Sequence, residues 1–163
     1  MSQRKIFLSG FLICVGLIAA ALYFQYAQHL EPCPLCIFQR LFVMGIGVIL
    51  LIGAVHNPTT WGRRVYGGLV VLCAGLGAGV AGRHVWIQHL PFDQQPGCSY
   101  DFNYMLESFP LSKTLKLVLA GSGDCAQITW TFLGLSMPAW TFIFFIGFVC
   151  LGLMLILCTS IKR

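Results

Sequence analysis

Long apolar runs, separated by short polar segments, dominate the pattern of hydrophobic and polar positions along the chain. The four runs cover residues 6–26, 37–55, 65–81 and 138–157. A helix needs about 20 residues to cross a hydrocarbon core of about 30 Å. The third run is short, but the segment from His84 to Ile87 extends it into the membrane interface. The pattern predicts four membrane-spanning helices.

The composition favours a membrane protein. Hydrophobic residues make up 58% of the 163 residues and charged residues 9%, against roughly 25% charged in an ordinary globular protein. So few charges cannot cover the surface of a soluble fold of this size. A cleaved signal peptide is an alternative interpretation of the first run, because Arg4 and Lys5 precede it. The run continues past the small residues 19–21, so we expect it to be retained as a span.

The distribution of charge predicts the orientation of the spans. Three connecting or terminal segments carry basic residues and no acid: Arg4, Lys5, Arg63, Arg64, Lys162 and Arg163. All acidic residues fall in the other two connections. Because an excess of Lys and Arg marks cytoplasmic segments, both termini are expected in the cytoplasm. The connections at about 27–36 and 84–135 are then on the outer side.

These features predict an all-α fold, an antiparallel four-helix transmembrane bundle formed by one integral membrane domain over residues 1–163. In the second outer connection, apolar positions recur at helical spacing, which predicts a short amphipathic helix on the membrane surface. Its apolar positions are Leu111, Leu115, Val118 and Leu119. Gly75 and Gly79 form a small-xxx-small pattern that permits close helix contact, although a lipid-facing glycine patch is the alternative.

The eight cysteines divide into two groups by the predicted topology. Cys14, Cys73, Cys150 and Cys158 lie in the spans or near their cytoplasmic ends. There, a free cysteine behaves as a small apolar side chain. Cys33, Cys36, Cys98 and Cys125 lie on the outer side, where disulfides persist. The simplest pairing joins Cys33 to Cys36 and Cys98 to Cys125, and the sequence also allows the two crossed pairings.

The Cys33–Cys36 pair is a poor structural disulfide, because closing a two-residue loop constrains little of the unfolded chain. A zinc site is the other structural alternative, but the outer His and Cys residues show no ligand spacing, and we expect no metal. Cys36 begins the second span, where helix amides favour negative charge. Arg40 is four residues further on the same face, where its charge stabilises a thiolate. A redox pair at the membrane edge suits a lipid-soluble electron carrier such as a quinone.

Three stretches resemble the DsbB family of bacterial inner-membrane disulfide bond formation proteins. They are PCPLCIFQR at the start of the second span, PGCSYDF around Cys98, and SGDCAQITWTFLGLSMPAW before the fourth span. The resemblance covers nearly the whole chain. It implies an enzyme, a protein-dithiol:quinone oxidoreductase, that reoxidises a periplasmic DsbA-like dithiol oxidase and delivers the electrons to ubiquinone or menaquinone.

The resemblance also implies roles for individual residues. Cys98 forms the mixed disulfide with the DsbA-like protein, Cys125 is its disulfide partner, Cys33 exchanges with Cys125, and Cys36 faces the quinone. Arg40, His89 and Met137 are the residues expected at the quinone. The alternatives are an arginine that reaches the lipid headgroups, an interfacial histidine and a lipid-facing methionine. Gln39 departs from relatives that carry an acid there, and Pro34 stands inside the C-x-x-C.

Two other functions compete with this interpretation. One is a quinone-linked thiol oxidoreductase of the vitamin K epoxide reductase type, which also uses a C-x-x-C at the membrane edge. The stretch before Pro138 argues against it. The other is a non-enzymatic membrane scaffold whose outer disulfides are structural.

Overall fold

The computed structural model describes residues 3–27, 33–91, 123–126 and 130–157. Four long helices form most of this part of the chain: α1 (Gln3–Ala27), α2 (Pro34–His56), α3 (Thr60–Gln88) and α5 (Met137–Leu157). Between α3 and α5 lie a short helix α4 (Gly123–Ala126) and two strands, β1 (Thr131–Phe132) and β2 (Leu135–Ser136). Each long helix is long and apolar enough to cross a membrane, which confirms the predicted four-helix fold.

Every predicted span falls inside one of these helices, and each helix is longer than its apolar run. Helix α2 begins at Pro34 and α3 extends from Thr60 to Gln88. The run at 65–81 is therefore the middle of a longer helix that carries polar residues at both ends. The predicted amphipathic helix at 111–119 lies outside the described residues.

The bundle is formed by three helix pairs. Helix α1 packs on α2, α2 on α3, and α3 on α5. Their inward faces form one apolar core that includes Phe7, Ile46, Val70 and Phe145. Many large apolar side chains point outward instead, as expected where lipid replaces water at the protein surface.

Helices α3 and α5 approach closely at glycines other than the predicted pair. A Cβ atom built on Gly77 would lie 2.4 Å from the Phe145 ring, and one on Gly67 would lie 2.8 Å from the carbonyl oxygen of Gly152. In contrast, a Cβ on Gly75 or Gly79 meets no atom of the described residues within 4 Å. Within the described part of the chain, the lipid-facing alternative therefore fits Gly75 and Gly79 better than a helix contact.

A β-hairpin precedes α5 and was not predicted. Strands β1 and β2 pair antiparallel, with Thr131 opposite Ser136. The two residues between the strands, Leu133 and Gly134, have φ values of 53° and 79°. Two consecutive positive φ values are typical of the tight turn that matches the twist of a hairpin. The indole N–H of Trp140 donates a hydrogen bond to the Phe132 carbonyl, 3.1 Å away, and fixes the hairpin on α5.

Candidate functional site

The start of α2 brings the C-x-x-C cysteines together. Cys33 is the residue before the helix, with ψ of 160°, and Pro34 is the first helical residue. Proline is favoured there because its fixed φ suits the helix and the first turn needs no amide donor. The amide of Ile37 then donates to the Cys33 carbonyl at 3.2 Å. Residues at this spacing face each other across the first turn, and the two sulfur atoms lie 3.2 Å apart.

Helix α4 supplies a third cysteine. The side chain of Cys125 is fully buried, and it packs with Cys33, Leu35 and Ile87 in a small apolar cluster between the ends of α2 and α3. The Sγ atoms of Cys33 and Cys125 and a ring nitrogen of His84 all lie within 4.8 Å of one another. Three of the four predicted redox cysteines therefore meet at one end of the bundle, and Cys98 lies outside the described residues.

His84 occupies the centre of this cluster, in the last turns of α3. Its Nε2 atom lies 3.2 Å from the Cys125 carbonyl oxygen and 3.8 Å from the Cys33 sulfur. Its Nδ1 atom lies 3.1 Å from the Gln39 amide nitrogen and 3.9 Å from the Cys36 sulfur. The side chain is only 2% exposed, so one imidazole contacts groups from all three cysteines.

Sequence reasoning missed His84, which it considered only as a zinc ligand and as an extension of the third span. One signal could have found it. An ionisable side chain inside a membrane helix is costly and is usually functional. Here that side chain lies at the same membrane face as the C-x-x-C pair, a position that follows from the predicted topology.

Arg40 lies one turn beyond Cys36 and faces α1. Its guanidinium donates hydrogen bonds to the Gln25 side-chain oxygen and to the Ala21 carbonyl, the latter at 3.2 Å. The arginine thus connects α2 to α1 near the end of the bundle that holds the cysteine cluster. A planar group with several donors suits this role better than a lysine ammonium.

A small cavity of about 100 Å³ lies beside Cys36 and Arg40. Its other lining residues are Leu17, Ile18, Ala21, Gln39, Val43, Met137, Pro138 and Thr141. A larger apolar cavity of about 270 Å³ shares four of these residues and continues towards the aromatic rings of Phe24, Trp130 and Trp140. A mostly apolar cavity with a few polar groups at one end is typical of small-molecule sites.

Two of the three predicted quinone-site residues line the small cavity, and the third does not. Arg40 and Met137 are both at its wall. His89 is exposed just beyond the end of α3, where its Nδ1 atom donates to the Val85 carbonyl at 2.8 Å. The structure therefore separates His89 from this cavity, and its role at a quinone stays a prediction.

Thiols and an imidazole are also zinc ligand types. A closed structural zinc site takes four protein ligands, whereas the described residues bring three such groups within 4.8 Å. The expectation of no metal stays a prediction.

Comparisons with known proteins find relatives that match most of the chain. The family model described as "Disulfide bond formation protein DsbB" matches residues 3–155. The disulfide bond formation protein B of Saccharophagus degradans is 53% identical over 151 residues, which cover 93% of this chain and 91% of that protein. The protein of the same name from Methylococcus capsulatus is 52% identical over 146 residues, covering 90% of this chain and 89% of its own. The one from Nitrosococcus oceani is 49% identical over 146 residues, covering 90% and 86%.

Proposed function

The chain belongs to the DsbB family of disulfide bond formation proteins, and from this premise we propose that it oxidises a periplasmic dithiol protein of the DsbA type and passes the electrons to a membrane quinone. Ubiquinone and menaquinone are the two candidate acceptors. The protein is a multi-pass membrane protein with four spanning helices. In the proposal it lies in the inner membrane with both termini in the cytoplasm and the redox cysteines on the periplasmic side.

The observation that carries the proposal is the close approach of three cysteines, one of which, Cys36, lines a cavity. Cys33 and Cys36 are 3.2 Å apart at their sulfur atoms, and Cys125 approaches the same pair from α4. Disulfide exchange requires a thiolate to reach a disulfide sulfur directly. These three sulfurs are close enough to exchange with only small movements, which a set of purely structural disulfides would not require.

The proposed exchange has three steps, and the second takes place between cysteines of this protein. The dithiol partner attacks Cys98 in a Cys98–Cys125 disulfide, so the Cys125 sulfur leaves as a thiolate and a mixed disulfide forms at Cys98. Cys125 then attacks Cys33 in the Cys33–Cys36 disulfide. A Cys33–Cys125 bond forms, the Cys33–Cys36 bond breaks, and the electron pair stays on the Cys36 sulfur. The second partner thiol releases Cys98 and completes oxidation of the partner.

The lining of the cavity beside Cys36 supports the proposal of a quinone there. Cys36 and Arg40 supply the polar side of its wall, while Leu17, Val43 and Met137 supply apolar contacts. The neighbouring apolar cavity offers room for more of a large apolar ligand. When bound there, a quinone supplies a two-electron acceptor next to the Cys36 sulfur. The Arg40 guanidinium would hold a ligand oxygen, and Met137 would pack against the ring.

A stopped-flow experiment tests this function. The purified protein is mixed, without oxygen, with a reduced DsbA-type protein and a soluble ubiquinone or menaquinone analogue. We expect quinone absorbance to fall as the partner is oxidised, at a rate proportional to the protein present. The Cys36→Ser variant should lose this activity, since a hydroxyl cannot form the disulfide.

Three outcomes would contradict the proposal. Oxidation of the partner at the same rate with and without quinone would remove the quinone step. No catalysed oxidation with either quinone, in a folded protein, would favour the scaffold alternative. Preferential reduction of vitamin K epoxide would favour the second enzyme class.

A further inference from the structure

His84 is a buried ionisable side chain to which the proposed exchange assigns no role. It lies in α3, yet its ring contacts two thiols of α2, the backbone of α4 and the Gln39 side chain. Each of the two ring nitrogens has a different set of neighbours. These neighbours determine which nitrogen keeps its proton and which can gain and lose one.

The Nε2 atom keeps its proton. Its nearest polar neighbour is the Cys125 carbonyl oxygen at 3.2 Å, and a carbonyl oxygen can only accept a hydrogen bond. A bare Nε2 would leave two lone pairs facing each other in a buried site, which is costly. Neutral His84 therefore carries its hydrogen on Nε2 and leaves Nδ1 as the basic atom.

The Nδ1 atom can gain and lose a proton without losing its hydrogen bond. The Gln39 amide nitrogen lies 3.1 Å away and donates to a bare Nδ1. Because a carboxamide has a donor and an acceptor end, a half-turn of the amide presents its oxygen to a protonated Nδ1. Gln39 is 4% exposed, so its amide, rather than water, is the hydrogen-bond partner of Nδ1 in both protonation states.

Cys36 is the group beside Nδ1 that has a proton to give. Its sulfur lies 3.9 Å from Nδ1, at the long end of a sulfur hydrogen bond. The titratable groups that face His84, within the described part of the chain, are Cys33 and Cys36 from α2 and Cys125 from α4. Arg40 is the nearest permanent charge on α2, and it points towards α1.

We propose that His84 is the acid–base partner of Cys36. When Cys36 is a free thiol, its proton moves to Nδ1, which leaves beside an imidazolium the same Cys36 thiolate that the exchange with Cys125 releases. Only the S–H bond breaks and only the N–H bond forms, and the sulfur keeps the electron pair. Cysteine nucleophiles are commonly activated by a histidine in this way. The inference rests on the proposed function, because it assigns a role in preparing Cys36 for electron transfer.

The geometry explains why this position is useful. A thiolate alone at the edge of the hydrocarbon region would be strongly disfavoured. A cation in contact with it offsets part of that cost, since charges attract more strongly where water is excluded. The Nε2 end of the same ring holds the Cys125 backbone, so one residue both positions Cys125 and stabilises the charge on Cys36.

The test measures the reactivity of Cys36 without partner or quinone. The reduced full-length protein is treated briefly with iodoacetamide at pH 7 and at pH 9.5, and labelling of each cysteine is quantified by peptide mass spectrometry. We compare the unmodified protein with His84→Gln and His84→Ala. Glutamine can still donate to the Cys125 carbonyl, but it cannot accept a proton. His56→Gln is the control, because His56 is exposed at the opposite end of α2.

We expect labelling of Cys36 at pH 7 to be about tenfold slower in both His84 variants, because alkylation requires the thiolate. At pH 9.5 the difference should shrink to about twofold, since base replaces the lost proton acceptor. Labelling of Cys98 should not change, and His56→Gln should match the unmodified protein.

Equal Cys36 labelling at pH 7 in the unmodified protein and in folded His84→Gln would overturn the proposal. A loss that persists at pH 9.5 would also overturn it, because it would indicate altered access to Cys36. The labelling rate does not depend on quinone reduction. A failure of the proposed function is therefore seen only in the stopped-flow assay, and a failure of this inference only in the labelling assay.

Discussion

The two ends of the helical bundle bury polar side chains in different ways. At the end where α2 begins and α3 finishes, Gln39 and His84 contact each other and the sulfurs of Cys33 and Cys36. At the opposite end, where α3 begins and α5 finishes, Arg63 is 1% exposed. Its Nε atom donates to the Leu155 carbonyl at 3.0 Å.

The difference between the ends lies in the partners of the buried groups. Leu155 is in the last turn of α5. The carbonyl oxygens of a helix's last turn accept no hydrogen bond from within the helix. A cation there satisfies an unpaired oxygen and complements the helix dipole, which is a structural task. At the other end the polar side chains face a cavity and the sulfurs of the proposed redox cysteines. Burial of a charged or polar group therefore does not by itself mark a functional site, whereas its partners do.

Arg40 and Arg63 allow this comparison to be tested with the same substitution at each end. The largest effect should come from Arg40→Ala, in the efficiency of quinone reduction. A charge-assisted hydrogen bond is worth about 1.5–3 kcal/mol, which corresponds to about a tenfold to hundredfold loss. The apparent Michaelis constant for quinone should rise in the stopped-flow assay. Arg40→Lys should lie between, because it keeps the charge and loses the planar donors.

Gln25→Ala is the matched control for Arg40. It removes the side-chain acceptor on α1 and leaves the cation in place. If Arg40 acts on the quinone, Gln25→Ala should have a much smaller effect than Arg40→Ala, and formation of the Cys98 mixed disulfide should be nearly unchanged in both. Equal losses in the two variants would mean that Arg40 serves only to hold α1 against α2.

The end of the bundle that holds the cysteine cluster can be predicted from the sequence only in part, because some of its contacts join residues that are far apart in the chain. Cys33, Cys36 and Arg40 are neighbours along one helix, so their spacing alone places them on adjacent turns. His84 is separated from Cys33 by 51 positions, and its contact depends on how α3 packs on α2. The cavity likewise needs side chains from three helices. The four long helices can be predicted from the sequence, because an apolar run of this length has few alternatives to a membrane-spanning helix.

The hairpin before α5 shows the same limit. The residues at its turn are Leu133 and Gly134, and only the glycine is a common turn residue at positive φ. The stabilising contact from Trp140 comes from the following helix. Neither feature is a strong local signal, so the hairpin could not be predicted from the pattern of hydrophobic residues.

The second test concerns Arg63. We expect Arg63→Ala to lower the free energy of unfolding by about 1.5–3 kcal/mol, because it leaves the Leu155 carbonyl without its charged donor. Turnover of the folded protein should stay within about twofold of normal, since the change is at the end away from the sulfurs. Thermal unfolding in detergent and the stopped-flow assay measure the two effects. Arg64→Ala, which changes the exposed neighbour, should alter neither.

A loss of turnover in folded Arg63→Ala would break the comparison between the two ends. It would mean that the contact between α3 and α5 controls the redox site through the whole length of the bundle. An unchanged free energy of unfolding would instead mean that the buried arginine stabilises the fold no more than an apolar side chain does. Some buried charges behave in this way.

The smallest effect should come from replacing the cysteines of the membrane core. Cys14 is 2% exposed and packs near Gly47, and the Cys73 thiol donates to the Phe42 carbonyl at 3.7 Å. Cys150 is exposed on α5, and Cys158 lies outside the described residues. Cys73 precedes His84 by 11 positions, which is about 16 Å along a helix at 1.5 Å per residue.

Sulfur exchange requires contact, so these cysteines should not take part in the reaction. We therefore expect the quadruple alanine variant to keep turnover within about twofold, because each change removes only a small apolar side chain. Thermal unfolding should confirm that the variant is folded, and Cys33→Ala, which should be inactive, is the matched control. If the folded quadruple variant lost most of its turnover, a membrane cysteine would belong to the electron path. The redox chemistry would then extend into the core, and the sharp difference between the two ends would no longer hold.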